Sequence, residues 1–83
     1  MKLRYFASVR ERIGLSEEEV AIPNEVSTVA DLIAWLSLRG EGYAVAFTDA
    51  LKIRAALDQC HARLDTRIGS AREAAFFPPM TGG

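Results

Sequence analysis

The clearest helical pattern in this chain of 83 residues begins at Thr28, and short segments that alternate like strands lie on either side of it. The Thr28 hydroxyl can accept from a backbone N–H one turn on, and Asp31 stands where the acid of a capping box stands. Val29, Leu32, Ile33 and Leu36 then recur at i, i+3, i+4 and i+7, with Trp35 widening the apolar stripe. Gly40 reads as a left-handed stop. From Thr28 to Gly40, at about 1.5 Å per residue, the helix spans about 20 Å, enough to cross one face of a small sheet. A chain of this length holds one domain and hides only about 60–65% of its unfolded surface, so the core is small. That leaves little room for a deep, self-contained catalytic pocket.

The flanking segments supply the sheet. In residues 2–7, Leu3, Tyr5 and Ala7 share one face and Lys2, Arg4 and Phe6 the other, which predicts a first strand. Residues 9–14 are too short for a real helix, and Gly14 suits a turn or cap. Residues 18–22 predict a second strand, stopped by Pro23-Asn24 and paired with the first as an antiparallel hairpin. Tyr43, Ala46, Phe47 and Ala50 fit a helical turn, Tyr43, Val45 and Phe47 also fit a strand, and the alanine content favours a short helix. Residues 53–57 predict a third strand, Asp58-Gln59 a two-residue turn, and residues 60–64 a short return strand. Residues 73–77 predict the last strand, which Pro78-Pro79 must end because neither proline can donate to a ladder. The sum is an α+β fold, one main helix packed on one face of a mixed sheet. Residues 1–77 form the domain, and residues 78–83 form a flexible, extended tail that projects from it.

Several kinds of function are excluded. Ten Lys+Arg against eleven Asp+Glu give a net charge of −1, not the basic footprint of a nucleic-acid or anionic-membrane binder. The longest apolar stretch is broken by Asp31, Arg39 and Glu41, short of the roughly 20 residues of a membrane span. Met1 leads straight into a strand, not into a charged segment, apolar run and cleavage site, so a cytoplasmic protein is expected. The single cysteine, Cys60, excludes an internal disulfide. On a strand, Cys60 and His61 point to opposite faces and cannot form a catalytic pair; they read as a half-buried thiol and a surface imidazole. Cys60, His61 and Asp65 lack metal-ligand spacing, and no phosphate-binding glycine pattern occurs, so no metal or bound cofactor is expected. The run Glu17-Glu18-Glu19 reads as solvated surface.

The C-terminus, Phe76-Phe77-Pro78-Pro79-Met80-Thr81-Gly82-Gly83, carries the most information. With glycine at about 7% of residues, a chance Gly-Gly ending occurs in roughly 0.5% of chains. A diglycine end alone reads as a frayed terminus. Pro78-Pro79, however, favours a stiff polyproline path, which projects the tail away from the last strand. Two glycines at the tip let the backbone thread a narrow tunnel in another protein. A terminal carboxylate is ionised and a poor electrophile at neutral pH, so chemistry on it needs activation, most simply by transfer to AMP. If Leu3 and Tyr5 face the helix and Glu73 lies outside, Phe6 and Phe77 form an aromatic patch on the open face, at the root of the tail. The other register turns one of them into the core.

These residues resemble a known family. Residues 74–83, Ala-Ala-Phe-Phe-Pro-Pro-Met-Thr-Gly-Gly, resemble the Phe-Phe-Pro-Pro…Gly-Gly ending of the small subunit of molybdopterin synthase. Tyr5-Phe6-Ala7-Ser8-Val9-Arg10-Glu11 resembles that family's opening, and Thr28-Val29-Ala30-Asp31-Leu32 resembles the start of its helix. The matches run in order from start to end of the chain. The resemblance implies the ubiquitin-like β-grasp fold and the role of a sulfur carrier. It implies that an ATP-dependent adenylating enzyme activates Gly83, that a sulfur-donor enzyme converts the adenylate to a thiocarboxylate, and that the large catalytic subunit of molybdopterin synthase takes the tail. Sulfur then passes to cyclic pyranopterin monophosphate. By position, Gly83 bears the sulfur, Gly82, Thr81, Met80, Pro79 and Pro78 form the inserted tail, and Phe6, Arg10 and Phe77 contact partners. The family assembles as a heterotetramer. Many members carry an Asp-Gly-Asp turn where this chain has Ser70-Ala71-Arg72, which predicts that Gly69 takes the positive-φ position. Asp58 stands where the family often has Asn. Three other readings stay open: a carrier for thiamin or tRNA thiolation, a ubiquitin-like modifier conjugated to lysines, and a plain binding module.

Overall fold

The structure, a computed structural model, describes residues 1–79. Its elements are β1 (Lys2–Tyr5), α1 (Ala7–Ile13), β2 (Glu17–Glu19), α2 (Val29–Ser37), α3 (Glu41–Ala46), a 3-10 turn (Ala50–Lys52), β3 (Arg54–Leu57), β4 (Cys60–Ala62) and β5 (Glu73–Phe77). The five strands form one sheet in the order β2-β1-β5-β3-β4. β1 and β5 run parallel at its centre, with Tyr5 beside Phe76, and every other pairing is antiparallel. The predicted antiparallel pairing of β1 with β2 is present, with α1 in the connection between them, and the first and last strands are neighbours. The helices cover one face, giving the α+β layout of a β-grasp.

α2 is the predicted main helix. Thr28 caps it: its hydroxyl accepts from the Asp31 N–H, and Asp31 accepts in return from the Thr28 N–H. The first-turn amides of Val29 and Ala30 donate to the carbonyls of Thr66 and Leu64, so the loop after β4 completes the cap. Val29, Leu32, Ile33 and Leu36 are buried against Leu3, Tyr5, Ala74 and Phe76. Asp31 is exposed, and the Ser27 backbone N–H and hydroxyl, followed by the Thr28 N–H, hold its carboxyl below the usual 3.8.

Several local expectations are corrected. α2 ends at Ser37, and Gly40 is not its left-handed stop; with φ 164° Gly40 is extended and starts α3 instead. Two residues later a side chain at Gly42 would put its Cβ 2.5 Å from the Arg12 carbonyl oxygen, so glycine is what lets α3 press against α1. Second, residues 7–13 do form a helix. Seven residues are below the length that is stable alone. Burial of Val9 and the Gly14 cap (φ 89°, N–H to the Arg10 carbonyl) hold α1 in place. β1 therefore stops at Tyr5, and Ala7 turns the chain out at φ 51°.

Third, β2 covers Glu17–Glu19, shorter and earlier than expected, although Val20 and Ile22 still pack on the core. β3 and β4 are also shorter than expected, and Cys60 is exposed on β4, not half-buried. Fourth, Glu18 is not solvated surface, as described below. The turn predictions hold: Asp58 and Gln59 both take positive φ (47° and 70°), as the favoured two-residue hairpin requires, and Gly69 takes φ 48°. Asp58 also accepts from the N–H groups of Arg72 and Glu73 at 2.9 and 3.0 Å, which fixes the start of β5.

Candidate functional site

Because β1 and β5 are parallel neighbours, their C-terminal ends meet at one end of the sheet. Phe6 follows β1, and its N–H donates to the Phe76 carbonyl. Alternation along β5 puts Phe76 in the core, fully buried, and Phe77 on the open face. There Phe6 and Phe77 stack, ring centroids 4.9 Å apart and 15° from parallel. The Arg4 guanidinium lies 5.2 Å over the Phe6 ring and 3.9 Å from Glu73. Arg54 stands opposite Phe77 on β3. The aromatic patch predicted from the alternation is therefore present, in the register that leaves both rings half-buried.

Phe76→Ala and Phe77→Ala should separate packing from binding. Phe76 lies between Tyr5 and Phe47, so its truncation is expected to cost about 3–5 kcal/mol of stability. Phe77→Ala is expected to cost under about 2 kcal/mol and to weaken partner binding more than it weakens the fold. Urea unfolding of both variants, beside binding of Phe77→Ala to a purified partner, checks this.

Pro78 and Pro79 continue from Phe77 along the other side of the sheet end. They line a groove of about 290 Å³ with Ser8 and Arg12 of α1, Val45 of α3, and Lys52 and Ile53. Arg10 is exposed on α1, whose N-terminal cap is Phe6. The remaining predicted site residues, Met80, Thr81, Gly82 and Gly83, lie outside the described residues.

Cys60 and His61 are exposed on the edge strand β4, with consecutive side chains on opposite faces. Among the described residues no three His, Cys, Asp or Glu side chains cluster as metal ligands would. No helix among them is long and apolar enough to cross a membrane.

One polar cluster was hidden in the acidic run. Glu18 accepts from the hydroxyls of Tyr5 (2.7 Å) and Tyr43 (2.6 Å) through one oxygen, while Arg39 approaches the other at 3.4 Å. Its side chain is only 15% exposed. Arg39 also lies over the rings of Trp35 and Tyr43. Burial first, then the Glu18 hydrogen bond and charge, pushes both phenols above their ordinary 10.0, with Arg39 offsetting part of it. The phenols thus remain donors at neutral pH. A signal for this was available: Glu18 shares a strand face with Val20, and two tyrosines at core positions need acceptors.

Raised phenol pKa values stabilise the fold fully below the unfolded value of 10.0, and the contribution is lost as pH rises above it. Melting temperature is therefore expected to fall from about pH 10 upward, less steeply in Tyr43→Phe than in the unaltered chain.

Comparison with known proteins adds to this geometry. Residues 3–83 match the ThiS family. The chain is 36% identical over 83 residues to the molybdopterin synthase sulfur carrier subunit of Escherichia coli, covering 100% of this chain and 99% of that one. It is 29% identical, with the same coverage, to the Haemophilus influenzae protein of the same name. The crystal structure of SAMP1 from Haloferax volcanii matches with a TM-score of 0.70 at 24% identity, covering 100% of this chain and 98% of that one, a likeness of fold.

Proposed function

We propose, from the premise that this chain belongs to the ThiS family, that it is the sulfur carrier of a molybdopterin synthase and bears the sulfur on Gly83. The observation that carries the reading is identity of 36% along the whole of both chains to a subunit of that name. The stacked Phe6–Phe77 pair where the tail begins supports it, since an exposed apolar patch there gives a partner a grip.

In this reading the chain supplies a reactive end and no catalytic residue. The Gly83 carboxylate attacks the α-phosphorus of ATP within an adenylating enzyme, and pyrophosphate leaves. The outer sulfur of a donor enzyme's persulfide displaces AMP, leaving an acyl disulfide; a thiol then attacks the donor's sulfur, forms a disulfide with it, and releases the thiocarboxylate. The large subunit of the synthase then accepts residues 78–83, with Gly82 free of any side chain that would obstruct threading. The thiocarboxylate sulfur bonds to a carbon of cyclic pyranopterin monophosphate as the oxygen on that carbon leaves. Water cleaves the acyl–sulfur bond and returns the carboxylate. Phe6, Phe77 and Arg10 serve as the grip for these partners. A cytoplasmic location and assembly as a heterotetramer belong to the same proposal.

The test is reconstitution. Chain loaded with sulfur is mixed with the large subunit and the pyranopterin precursor. The reading expects the thiocarboxylate to revert to carboxylate as the dithiolene forms. Loaded chain that keeps its sulfur, and yields it instead to a thiamin precursor or a tRNA, would assign it to another pathway. Attachment of Gly83 to protein lysines would make it a modifier.

A further inference from the structure

The root of the tail has two walls of different chemistry. The open-face wall is the Phe6–Phe77 stack. The helix-side wall is the groove between α1 and the α3–3-10 segment, and Pro78 and Pro79 form part of it. We infer that this groove is a second docking surface, which takes an acidic, apolar-tipped segment of the large synthase subunit, the partner that the names of the relatives imply. The inference rests on the sulfur-carrier reading, because that reading supplies the receiving protein.

Reach is the first argument. Four residues follow Pro79, and fully extended they span at most about 13–14 Å. For the Gly83 carboxyl to meet reacting groups inside another protein, that protein's surface must come within this distance of Pro79. A surface that close comes within reach of the groove that Pro79 lines.

Charge is the second argument. Among the described residues no carboxylate lies within pairing distance of Arg12. Among the described residues Lys52 pairs only with Asp49, at 3.6 Å, and both side chains are more than half exposed. Such a pair is worth little in water and readily exchanges its anion for a partner's. The groove thus sets two cations against one anion in a chain whose net charge is −1. Val45, 44% exposed, and half-buried Ile53 give it an apolar floor, so the complementary segment carries carboxylates around an apolar side chain.

The test uses the full chain with the purified large subunit and, separately, with the adenylating enzyme. Two variants are compared with the unaltered chain, the double Arg12→Glu/Lys52→Glu and the single Val45→Asp, all at exposed positions. Binding is measured at low and high salt, with melting temperature as the check on folding. The inference expects the double variant to bind the large subunit about 10-fold more weakly at low salt, with the difference shrinking as salt screens it, and a loss confined to the adenylating enzyme would overturn it. Val45→Asp is expected to weaken binding at either salt. Melting temperature should not move.

Wild-type affinity in both variants would overturn the groove assignment and leave the carrier reading standing. Tighter binding and faster adenylation in the double variant would also overturn it, by pointing to the chain's own terminal carboxylate as the occupant. Loss of a dimer in the double variant would name a second copy instead. If the unaltered chain binds neither protein, the carrier reading falls and the inference with it.

Discussion

Deleting Gly83 is expected to lower thiocarboxylate formation at least about 100-fold while leaving the melting temperature unchanged. The reason is distance. Removing one residue withdraws the terminal carboxyl by about 3.5 Å, and a displacement of only about 1 Å from a near-attack geometry already costs about 100-fold. Adding one residue after Gly83 is expected to do the same, because the new carboxyl overshoots and the old one becomes an amide. Neither change touches the packed domain, whose last strand ends at Phe77. Gly82→Ala should lie between these and the unaltered chain, since it keeps the reach and adds a side chain to the threading path. The check is rate of sulfur loading beside thermal unfolding for each variant. Full loading of the extended chain would mean that the terminus is not the reactive group.

Glu18→Ala is expected to have the largest effect on stability of any single change in the acidic run. It strands the Tyr5 hydroxyl in a side chain that is 1% exposed, and it removes the acceptor of Tyr43 and the counter-charge of Arg39. A buried donor left without a partner costs about 1–3 kcal/mol, and the second tyrosine, half-buried, recovers part of its bond from water. The expected loss is about 2–4 kcal/mol, against a total of about 4–12 kcal/mol for a domain of this size. The melting temperature should fall by at least about 10 °C. Glu17→Ala and Glu19→Ala, whose side chains are 51% and 75% exposed, should each stay within about 0.5 kcal/mol. Equal effects from all three would return Glu18 to the surface. Where Glu18→Ala remains folded, sulfur loading should persist, because the cluster lies in the scaffold and the reactive end does not.

The contrast between those three glutamates shows what the sequence makes legible and what it hides. The capped helix at Thr28 and the last strand at 73–77 are both readable, since each is specified locally: a capping box and stripe for one, a run closed by two prolines for the other. The Phe6–Phe77 stack is readable because strand alternation and the adjacency of β1 and β5 together fix it. α1 is not readable, because a seven-residue helix exists only by packing Val9 inward and letting Gly42 approach Arg12. Gly40 is misread because the next helix starts directly after it: its backbone is extended, at φ 164°, and it caps the start of α3. The Glu18 cluster joins three stretches far apart in sequence: β1, β2, and the α2–α3 link with α3. Tyrosines at core positions announce that an acceptor is needed but do not say which residue provides it. At the site, the aromatic stack at the root of the tail is legible, and the helix-side groove is not, because its lining comes from α1, α3 and the 3-10 segment together.

The central claim is that this small fold is a handle for chemistry on its last residue, with the lone Cys60 a bystander. The most direct measurement is the intact mass of the chain after incubation with the adenylating enzyme, ATP and a sulfur donor. The account predicts a gain equal to one sulfur replacing one oxygen, located by fragmentation on Gly83, and the same gain in Cys60→Ser. No gain, or a gain located on Cys60 and lost in Cys60→Ser, would contradict it.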